Sequence, residues 1–265
     1  MQTEKIVDHI VNWLKDYATQ AKVNGFVVGI SGGIDSAVTS TLCALTGLDI
    51  LCVEMPIHQA PSHVSRAVEH ITQLSNKFPN IRETRVDLTP VFESFKTEVS
   101  LEGQDATVAM ALANTRARLR MSALYYYAGL QDLLVAGTGN KVEDFGVGFF
   151  TKYGDGGVDL SPIADLMKSE VYALAKVLNV PTSIIKATPS DGLFGDARSD
   201  EDQIGASYPE LEWAMKMTNL GKKVEEFSDR EKEVFTIYSS YNKTNKHKMD
   251  PIPVCKIPHN FLSKN

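Results

Sequence analysis

The sequence predicts one α/β domain, built as an open parallel sheet with helices on both faces. Short, uninterrupted apolar runs alternate with amphipathic segments along the first half of the chain. Strands that are apolar throughout are typical of parallel sheets, because right-handed crossover helices cover both faces of such sheets. The length of 265 residues fits a single domain, and no repeat or clear linker interrupts residues 1–265.

The first half of the chain supplies the predicted sheet and most of its helices. Residues 2–22 place Ile6, Ile10, Trp13 and Leu14 at helical spacing, so they predict an amphipathic helix that packs on the sheet. Apolar runs predict strands at 26–30, 50–55 and 133–136, and the same alternation of strands and helices predicts a further strand at 81–86. The predicted helices between them are 35–45, 62–78, 88–99 and 107–130.

The second half changes in composition. Residues 137–162 contain seven glycines and no periodicity, and a long loop of this kind in a compact domain is typically functional. Helical spacing returns at 164–178 and 228–246, whereas 191–209 is polar and acidic. Because both irregular segments are poor in core-forming residues, we expect them to become ordered when ligands bind.

Composition excludes several classes of protein. The net charge of −6 argues against a general nucleic-acid binder. No apolar run approaches the roughly 18 residues of a membrane span, and acidic residues interrupt the N-terminal apolar stretch, unlike a signal peptide. The three cysteines form no CxxC pair, which predicts reduced packing residues rather than a disulfide or zinc framework. We therefore expect a cytoplasmic protein without membrane or nucleic-acid partners.

A glycine-rich turn at the first strand-to-helix junction predicts an anion site. Glycines let backbone amides approach a ligand, and a helix N-terminus attracts phosphate. The turn fits neither GxxxxGK[ST] nor GxGxxG, and a simple helix cap is the alternative interpretation. Its residues are Gly29, Ile30, Ser31, Gly32, Gly33, Ile34, Asp35 and Ser36.

The string SGGIDS in this turn resembles the SGGxDS signature of the ATP pyrophosphatases, the PP-loop superfamily, which cleave ATP between its α- and β-phosphates. Further motifs at 114–121, 137–143, 148–157 and 246–248 resemble the ammonia-dependent NAD synthetases in order and spacing. The resemblance covers nearly the whole chain. It implies an adenine nucleotide alpha-hydrolase-like fold.

The same resemblance implies a ligase of NAD biosynthesis. In the family reaction, ATP with magnesium (Mg²⁺) adenylates the nicotinate carboxylate of deamido-NAD and releases pyrophosphate, and ammonia then displaces AMP to form NAD. We expect ammonia as the donor, because the first strand begins about 25 residues from the start and leaves no room for an amidotransferase domain before it. A separate glutaminase subunit is the alternative source of ammonia.

By resemblance, Asp35 and Lys168 are catalytic residues, and Asp35 and Glu143 hold Mg²⁺, which prefers oxygen ligands. Asp155, in the string YGDGG, is a third catalytic candidate as a hypothesis from its chemistry. Asp155 would bind ammonium and help remove its proton, because only NH3 is nucleophilic. Each of these residues also has a structural interpretation. Asp35 could be an acid favoured in a first helical turn, and Asp155 part of an ordinary Asp-Gly turn. Glu143 and Lys168 could be exposed surface residues. The implied ATP contacts beyond the turn are Thr138, Lys168 and Ser190, although a plain proline turn also explains Ser190.

The resemblance also implies residues that bind deamido-NAD: Arg118, Lys152, Asp159, His247 and Lys248. Asn114 shares a helical face with Arg118, whereas Arg116 and Arg120 face elsewhere and fit structural or dimer salt bridges. A basic helix end that favours its own dipole is the alternative at 246–248. The family implies a homodimer, and the apolar faces of the first helix and of 107–130 would suit such a contact, or else a core.

Two other functions remain open at this point. A tRNA lysidine or thiolation enzyme would use the same loop, but the acidic charge and the absence of CxxC argue against it. A nucleotide-binding sensor without turnover could share the fold, because fold does not determine function. The joint presence of Asp35, Glu143, Lys168 and Asp155 favours catalysis.

Overall fold

A four-stranded parallel sheet forms the centre of the computed structural model, which describes residues 1–99, 106–190 and 199–262. The strand order is β3-β2-β1-β4, and every neighbouring pair is parallel. The strands are β1 (Gly25–Gly29), β2 (Asp49–Glu54), β3 (Ile81–Arg85) and β4 (Leu133–Val135). The predicted fold class is confirmed, and each strand lies within one residue of its predicted position.

Helices cover both faces of this sheet, as the apolar strands predicted. The helices of the first half are α1 (Thr3–Ala21), α2 (Ile34–Leu45), α3 (Pro61–Lys77), α4 (Thr89–Glu98) and α5 (Ala106–Gln131). Successive side chains of β1 alternate between two cores. Phe26 and Val28 pack with α1, α2 and α3, whereas Val27 packs on the opposite face with Phe92 of α4 and Ala128 of α5.

The second half begins with a short helical segment at Val142–Val147 and continues, in the described residues, with six α-helices and a 3-10 turn at Val224–Glu226. The α-helices are α6 (Lys168–Val177), α7 (Thr182–Ile185), α8 (Asp200–Ile204), α9 (Tyr208–Asn219), α10 (Asp229–Met249) and α11 (His259–Leu262). The prediction of a helix from residue 164 was wrong by four residues. Met167 is extended and its backbone N–H donates to the Glu170 side chain at 2.8 Å, so Glu170 caps the start of the helix at Lys168.

A second, smaller core packs beside the sheet domain. It joins the segment Val142–Val147 to α9 and α10 through Leu211, Phe235 and Tyr238. The sequence analysis therefore missed a helical segment within 137–162, because the glycine-rich composition there shows no helical periodicity. Part of the acidic stretch 191–209 is also helical, with Asp200 buried, while 191–198 lie outside the described residues. Ordering of these segments by ligands stays a prediction.

The carboxyl ends of the parallel strands meet at one edge of the sheet. β1 runs into Ser31, β2 into Met55 and β4 into Gly137, with a parallel bridge from Ala136 to Leu160. Open α/β sheets bind ligands at this edge, at the point where the strand order reverses. In this fold that point lies between β1 and β4, because β2 and β3 follow β1 on one side of it and β4 lies on the other side.

Two further expectations concern the whole chain. Of the helices that the structure describes, none combines the length and the apolar character that a bilayer crossing requires. The thiols of Cys43 and Cys52 are free and buried. Desolvation raises the pKa of Cys52 to about 12, so it stays protonated and packs as an apolar residue.

Candidate active site

A cavity of about 280 Å³ opens at the carboxyl edge of the sheet. Its walls come from the glycine-rich turn, the ends of β2 and β4, and side chains of α3, α5 and α6. Most of the sequence-predicted ATP and catalytic residues line it: Gly29, Ile30, Ser31, Gly33, Ile34, Asp35, Ser36, Thr138, Glu143, Asp155, Lys168 and Ser190. Residues far apart in sequence therefore converge on one space.

The glycine-rich turn is held by its own hydroxyl groups. Ser31 Oγ and Ser36 Oγ lie 3.1 Å apart, and the Gly33 N–H donates to Ser31 Oγ at 3.2 Å. Ser36 Oγ also donates to the Gly33 carbonyl at 3.0 Å. The turn precedes α2, so its polar groups sit at the positive end of a helix, where an anion is favoured.

Gly32 is required by its surroundings as well as by its backbone angle. Its φ is +79°, a left-handed conformation that side chains disfavour. A Cβ placed there would lie 2.4 Å from the carbonyl oxygen of His63 in α3. The turn and α3 can approach this closely because residue 32 has no side chain.

Lys168 joins two acidic residues at the centre of the site. Its Nζ lies 2.7 Å from Asp35 Oδ2 and 2.9 Å from Glu143 Oε1. Lys168 is only 2% exposed, because α6 begins beneath the cavity. The structure thus brings together the predicted metal ligands and the predicted phosphate-facing lysine, and gives Lys168 a second role as their counter-charge.

Burial and ion pairing act in opposite directions on these three groups. Desolvation disfavours the Lys168 ammonium, but the carboxylates of Asp35 and Glu143 outweigh it and raise the pKa of Lys168. Desolvation also leaves the pKa of Asp35 raised, although Lys168 opposes it. At Glu143 the desolvation is outweighed by Lys168 and by hydrogen bonds, so the pKa of that carboxyl is lowered. Lys168 is therefore charged throughout the physiological range.

Three polar side chains that the sequence analysis missed support this cluster. Asn140 Nδ2 donates to Asp35 Oδ1 at 3.2 Å, and the Tyr208 hydroxyl donates to Glu143. The same hydroxyl lies 3.1 Å from Asp200 Oδ2. Asn140 could have been found from its place in the GTGN string, but no local signal marks Tyr208 or Asp200.

Asp155 lies at the cavity wall, in the glycine-rich loop of residues 137–162, which is distinct from the glycine-rich turn at 29–36. Its Oδ1 accepts the Thr151 N–H at 2.9 Å, and Thr151 Oγ1 in turn donates to Asn114 Oδ1 at 2.7 Å. These contacts tie the loop to α5. Desolvation by the surrounding loop raises the pKa of Asp155 even though these hydrogen bonds favour its charged form.

Asp144 is a further acid of the cavity that the sequence analysis did not single out. Its carboxylate lies against Gly139, where a Cβ would come within 2.0 Å of Asp144 Oδ2. Desolvation, followed by repulsion from Glu143 and Asp155, raises its pKa well above the ordinary range. Glycine at position 139 therefore makes room for a carboxyl group that faces the cavity.

Four of the residues predicted to bind deamido-NAD form a second group, outside the cavity wall. Arg118 Nη2 donates to the Lys152 carbonyl at 3.4 Å, and Lys152 Nζ donates to the His247 carbonyl. Lys248 Nζ donates to the carbonyls of Gly148 and Phe150 at 2.8 and 2.9 Å. The glycine-rich loop thus lies between α5 and the end of α10, with basic side chains from all three elements.

Asp159 is placed apart from that basic group. Its Oδ2 accepts the Val135 N–H at 2.8 Å, and its Oδ1 accepts the Tyr125 hydroxyl at 2.9 Å. Both oxygens are therefore engaged at the edge strand β4. Arg120, which was expected to face away from the ligand, lines the cavity and donates to Met55 O at 3.0 Å and Gln59 Oε1 at 2.8 Å.

Comparisons with known proteins agree with this geometry. The sequence model described as NAD synthase matches residues 6–251. An NH3-dependent NAD synthetase from Finegoldia magna is 38% identical over 231 residues, which cover 87% of this chain and 91% of that protein. An NMN synthetase structure from Francisella tularensis is similar with a TM-score of 0.84 and 31% identity, covering 97% of this chain and 100% of that one. An NH3-dependent NAD synthetase structure from Campylobacter jejuni has a TM-score of 0.77 and 26% identity, with the same coverage.

Proposed function

The chain belongs to the NAD synthase family, and from that membership we propose that it converts deamido-NAD to NAD with ATP and ammonia. ATP adenylates the nicotinate carboxylate, pyrophosphate leaves, and ammonia then displaces AMP. The observation that carries this proposal is the Asp35–Lys168–Glu143 cluster beside the glycine-rich turn, in the cavity where the sheet ends. We assign the whole span 1–265 to one catalytic domain.

In the first step, a carboxylate oxygen attacks the α-phosphorus of ATP and the bond to the β-phosphate breaks. Negative charge builds up on the departing pyrophosphate, so fixed donors near it lower the barrier. Ser31, Ser36 and the backbone amides of the turn supply such donors at the start of α2. Lys168 adds an ammonium group, and Thr138 and Ser190 face the same cavity.

The charges of the cavity favour a divalent cation with ATP. Of the described residues that line it, six are acidic and three are basic. The polyanionic nucleotide would enter this acidic space at a high electrostatic cost. Asp35 and Glu143 already converge on one cation, the Lys168 ammonium, and offer the oxygen ligands that Mg²⁺ prefers. Mg²⁺ held by these two carboxylates would neutralise the charge that develops on the phosphates.

In the second step, the adenylated carboxylate meets ammonia. Ammonium must lose its proton to become a nucleophile, and a carboxylate with a raised pKa is a better proton acceptor than an ordinary one. Asp155 has this property and lies on the cavity wall. We assign the binding and deprotonation of ammonium to Asp155.

Deamido-NAD is an anion, and the basic group beside the glycine-rich loop suits it. Arg118, Lys152, His247 and Lys248 gather around residues 148–153, next to Asp155. Such residues bind a pyrophosphate bridge through charge-assisted hydrogen bonds. Asp159, by contrast, would contribute by fixing the loop to β4 and α5, because both of its oxygens are occupied there.

We also propose a cytoplasmic homodimer. The apolar face of α1 is largely used inside the chain, where Ile10, Leu14 and Ala18 are buried, and only Trp13 and Tyr17 stay 38 and 39% exposed. In α5, by contrast, Met110, Tyr126 and Leu130 are 49 to 65% exposed. A second copy packed on α5 would cover these side chains beside the basic group. Cytoplasmic location agrees with the use of ATP and with the protonated thiols of Cys43 and Cys52.

A second candidate differs in the acceptor. The Francisella tularensis neighbour is described as an NMN synthetase and shares 31% identity over nearly the whole chain. By the same chemistry, this chain would then amidate nicotinate mononucleotide, which carries the same reacting carboxylate without the adenylate half. The curated relative favours the dinucleotide. The two acceptors share the ATP site and the ammonia step.

Product analysis with purified protein tests the function. Reactions contain ATP, Mg²⁺, one acceptor, and either ammonium or glutamine, and NAD, NMN, AMP, pyrophosphate and phosphate are separated. We expect NAD, AMP and pyrophosphate from deamido-NAD with ammonium alone. A higher kcat/KM for nicotinate mononucleotide would favour the second candidate. ATP binding without pyrophosphate release from either acceptor would overturn both and support the sensor or tRNA enzyme interpretations.

A further inference from the structure

Helix α3 places a cationic side chain at the glycine-rich turn. Arg66 Nε donates to the Gly32 carbonyl at 3.0 Å, from the helix that packs against the turn. Arg66 also lines the cavity that contains Ser31, Ser36 and Lys168. Arg66 lies outside every motif that the sequence analysis identified. It belongs to α3, which follows β2, whereas the SGGIDS motif follows β1.

Arg66 has no acidic partner among the described residues, in contrast to Lys168 in the same cavity. Within the described residues, no carboxylate pairs with it, and its one hydrogen bond uses a single donor. A guanidinium has five N–H donors. Lys168, by comparison, is neutralised by two carboxylates, and Arg230 by Glu210 and Glu233.

Burial makes this lack of a partner significant. Arg66 is partly buried, and desolvation lowers its pKa, but an arginine side chain remains charged at neutral pH. A partly desolvated charge without a counter-charge is unfavourable unless a ligand supplies one. The ligand that fits a planar fork of N–H donors is a phosphate group.

We propose that Arg66 binds the pyrophosphate portion of ATP and holds the pyrophosphate as it leaves. The inference rests on the proposed use of ATP and deepens it. When the bond between the α- and β-phosphates breaks, its electron pair goes to the departing pyrophosphate, and Arg66 stays protonated beside that charge. The Gly32 contact orients the guanidinium, so its remaining donors are positioned before the ligand arrives.

A purely structural role would be to fasten α3 to the turn through Gly32. Arg66→Gln separates the two roles, because its amide can still donate to a carbonyl but carries no charge. Arg66→Lys keeps the charge but loses the planar fork. Arg82→Gln is the matched control, since Arg82 is an exposed arginine on β3 that pairs with Asp49 at 3.2 Å, away from the cavity.

The first readout is binding of inorganic pyrophosphate to the full-length protein, measured by calorimetry with and without magnesium chloride. We expect Arg66→Gln to weaken this binding by about tenfold or more, because a charge-assisted bidentate contact is lost. Arg66→Lys should bind pyrophosphate with an affinity between that of Arg66→Gln and that of the wild type. Arg82→Gln should match the wild type within twofold. Pyrophosphate affinity unchanged in Arg66→Gln would overturn the proposal.

The second readout is steady-state kinetics. We expect a higher KM for ATP and weaker product inhibition by pyrophosphate in Arg66→Gln, with the KM for deamido-NAD within twofold of wild type. If Arg66→Gln does not fold, Arg66→Lys decides, and unchanged pyrophosphate affinity in that variant counts against us. Wild-type protein that binds pyrophosphate but makes no NAD would instead overturn the acceptor assignment, because pyrophosphate binding needs no acceptor.

Discussion

The ammonium of Lys168 lies 2.7 Å from a carboxylate oxygen of Asp35, although 133 residues separate them in the sequence. Asp35 stands in the first turn of α2, and Lys168 is the first residue of α6. Glu143, from the short helical segment Val142–Val147 after β4, completes the cluster on the other side of the ammonium. Folding therefore assembles the catalytic charges and depends on their balance, because Lys168 is buried and its two acidic partners are only 18% and 16% exposed.

Lys168→Met should destabilise the protein strongly and abolish product formation. The substitution leaves Asp35 and Glu143 largely shielded from water without a counter-charge, and breaking a buried ion pair in this way costs about 3–5 kcal/mol. Unfolding in urea, followed by circular dichroism, measures the loss. Lys222→Met, which removes the exposed pair with Glu226, should cost far less, because solvent screens exposed pairs. Equal losses in the two variants would contradict this account.

Gly32→Ala should weaken ATP binding and lower stability more than a comparable change elsewhere. Gly47→Ala is the matched control, because its φ is +75° and nothing lies within 4 Å of its added Cβ. Both variants strain the backbone by about 1–3 kcal/mol. Only at Gly32 does the Cβ also meet the His63 carbonyl, at 2.4 Å. Comparison of the melting temperatures and ATP affinities of the two variants isolates the contribution of the contact between the turn and α3. Equal losses in Gly32→Ala and Gly47→Ala would show that this contact contributes nothing.

Asp155→Asn should impair the ammonia step and spare adenylation. We expect the KM for ammonium to rise at least about tenfold, since the amide neither attracts the cation nor accepts its proton. Pyrophosphate release from ATP and deamido-NAD without ammonium should stay within about twofold of wild type. Asp165→Asn serves as the control, because the side chain of Asp165 is 97% exposed and pairs only with Lys141 in the described residues. An unchanged KM for ammonium would remove Asp155 from this role.

His70 should make the protein less stable in mild acid. His70 is 1% exposed, its Nε2 lies 2.8 Å from Ser40 Oγ, and burial lowers its pKa to about 4. The unfolded chain, with an ordinary histidine pKa of about 6.5, binds a proton that the folded state rejects. Stability should therefore fall by about 3 kcal/mol as the pH drops from about 6.5 through 4.

The variant His70→Gln should flatten that decline, because its amide does not titrate there and can still bond Ser40. Urea midpoints measured at half-unit pH steps give the slope. His9→Gln, at an exposed position on α1, should leave the slope as in the wild type. A wild-type slope that persists in His70→Gln would show that other groups cause the acid sensitivity.

The elements of the sheet could be predicted because their signal is local. The apolar runs at β1 and β2 and the SGGIDS turn between β1 and α2 follow directly from residue order. Parallel topology then brings the strand ends to one edge, so the approximate place of the site followed as well. Helix α9 was missed, because its start lies in a stretch whose polar composition resembles a loop.

The sequence by itself determined the fold class, the anion-binding turn and the residues of the family motifs, since these depend on periodicity and on short strings. Only the tertiary structure decided which side chains support them. Tyr208 reaches Glu143 across 65 residues, and Arg66 reaches Gly32 across 34. Such contacts arise where separate elements pack and exclude water, and there a buried charge must find its partner in space rather than along the chain.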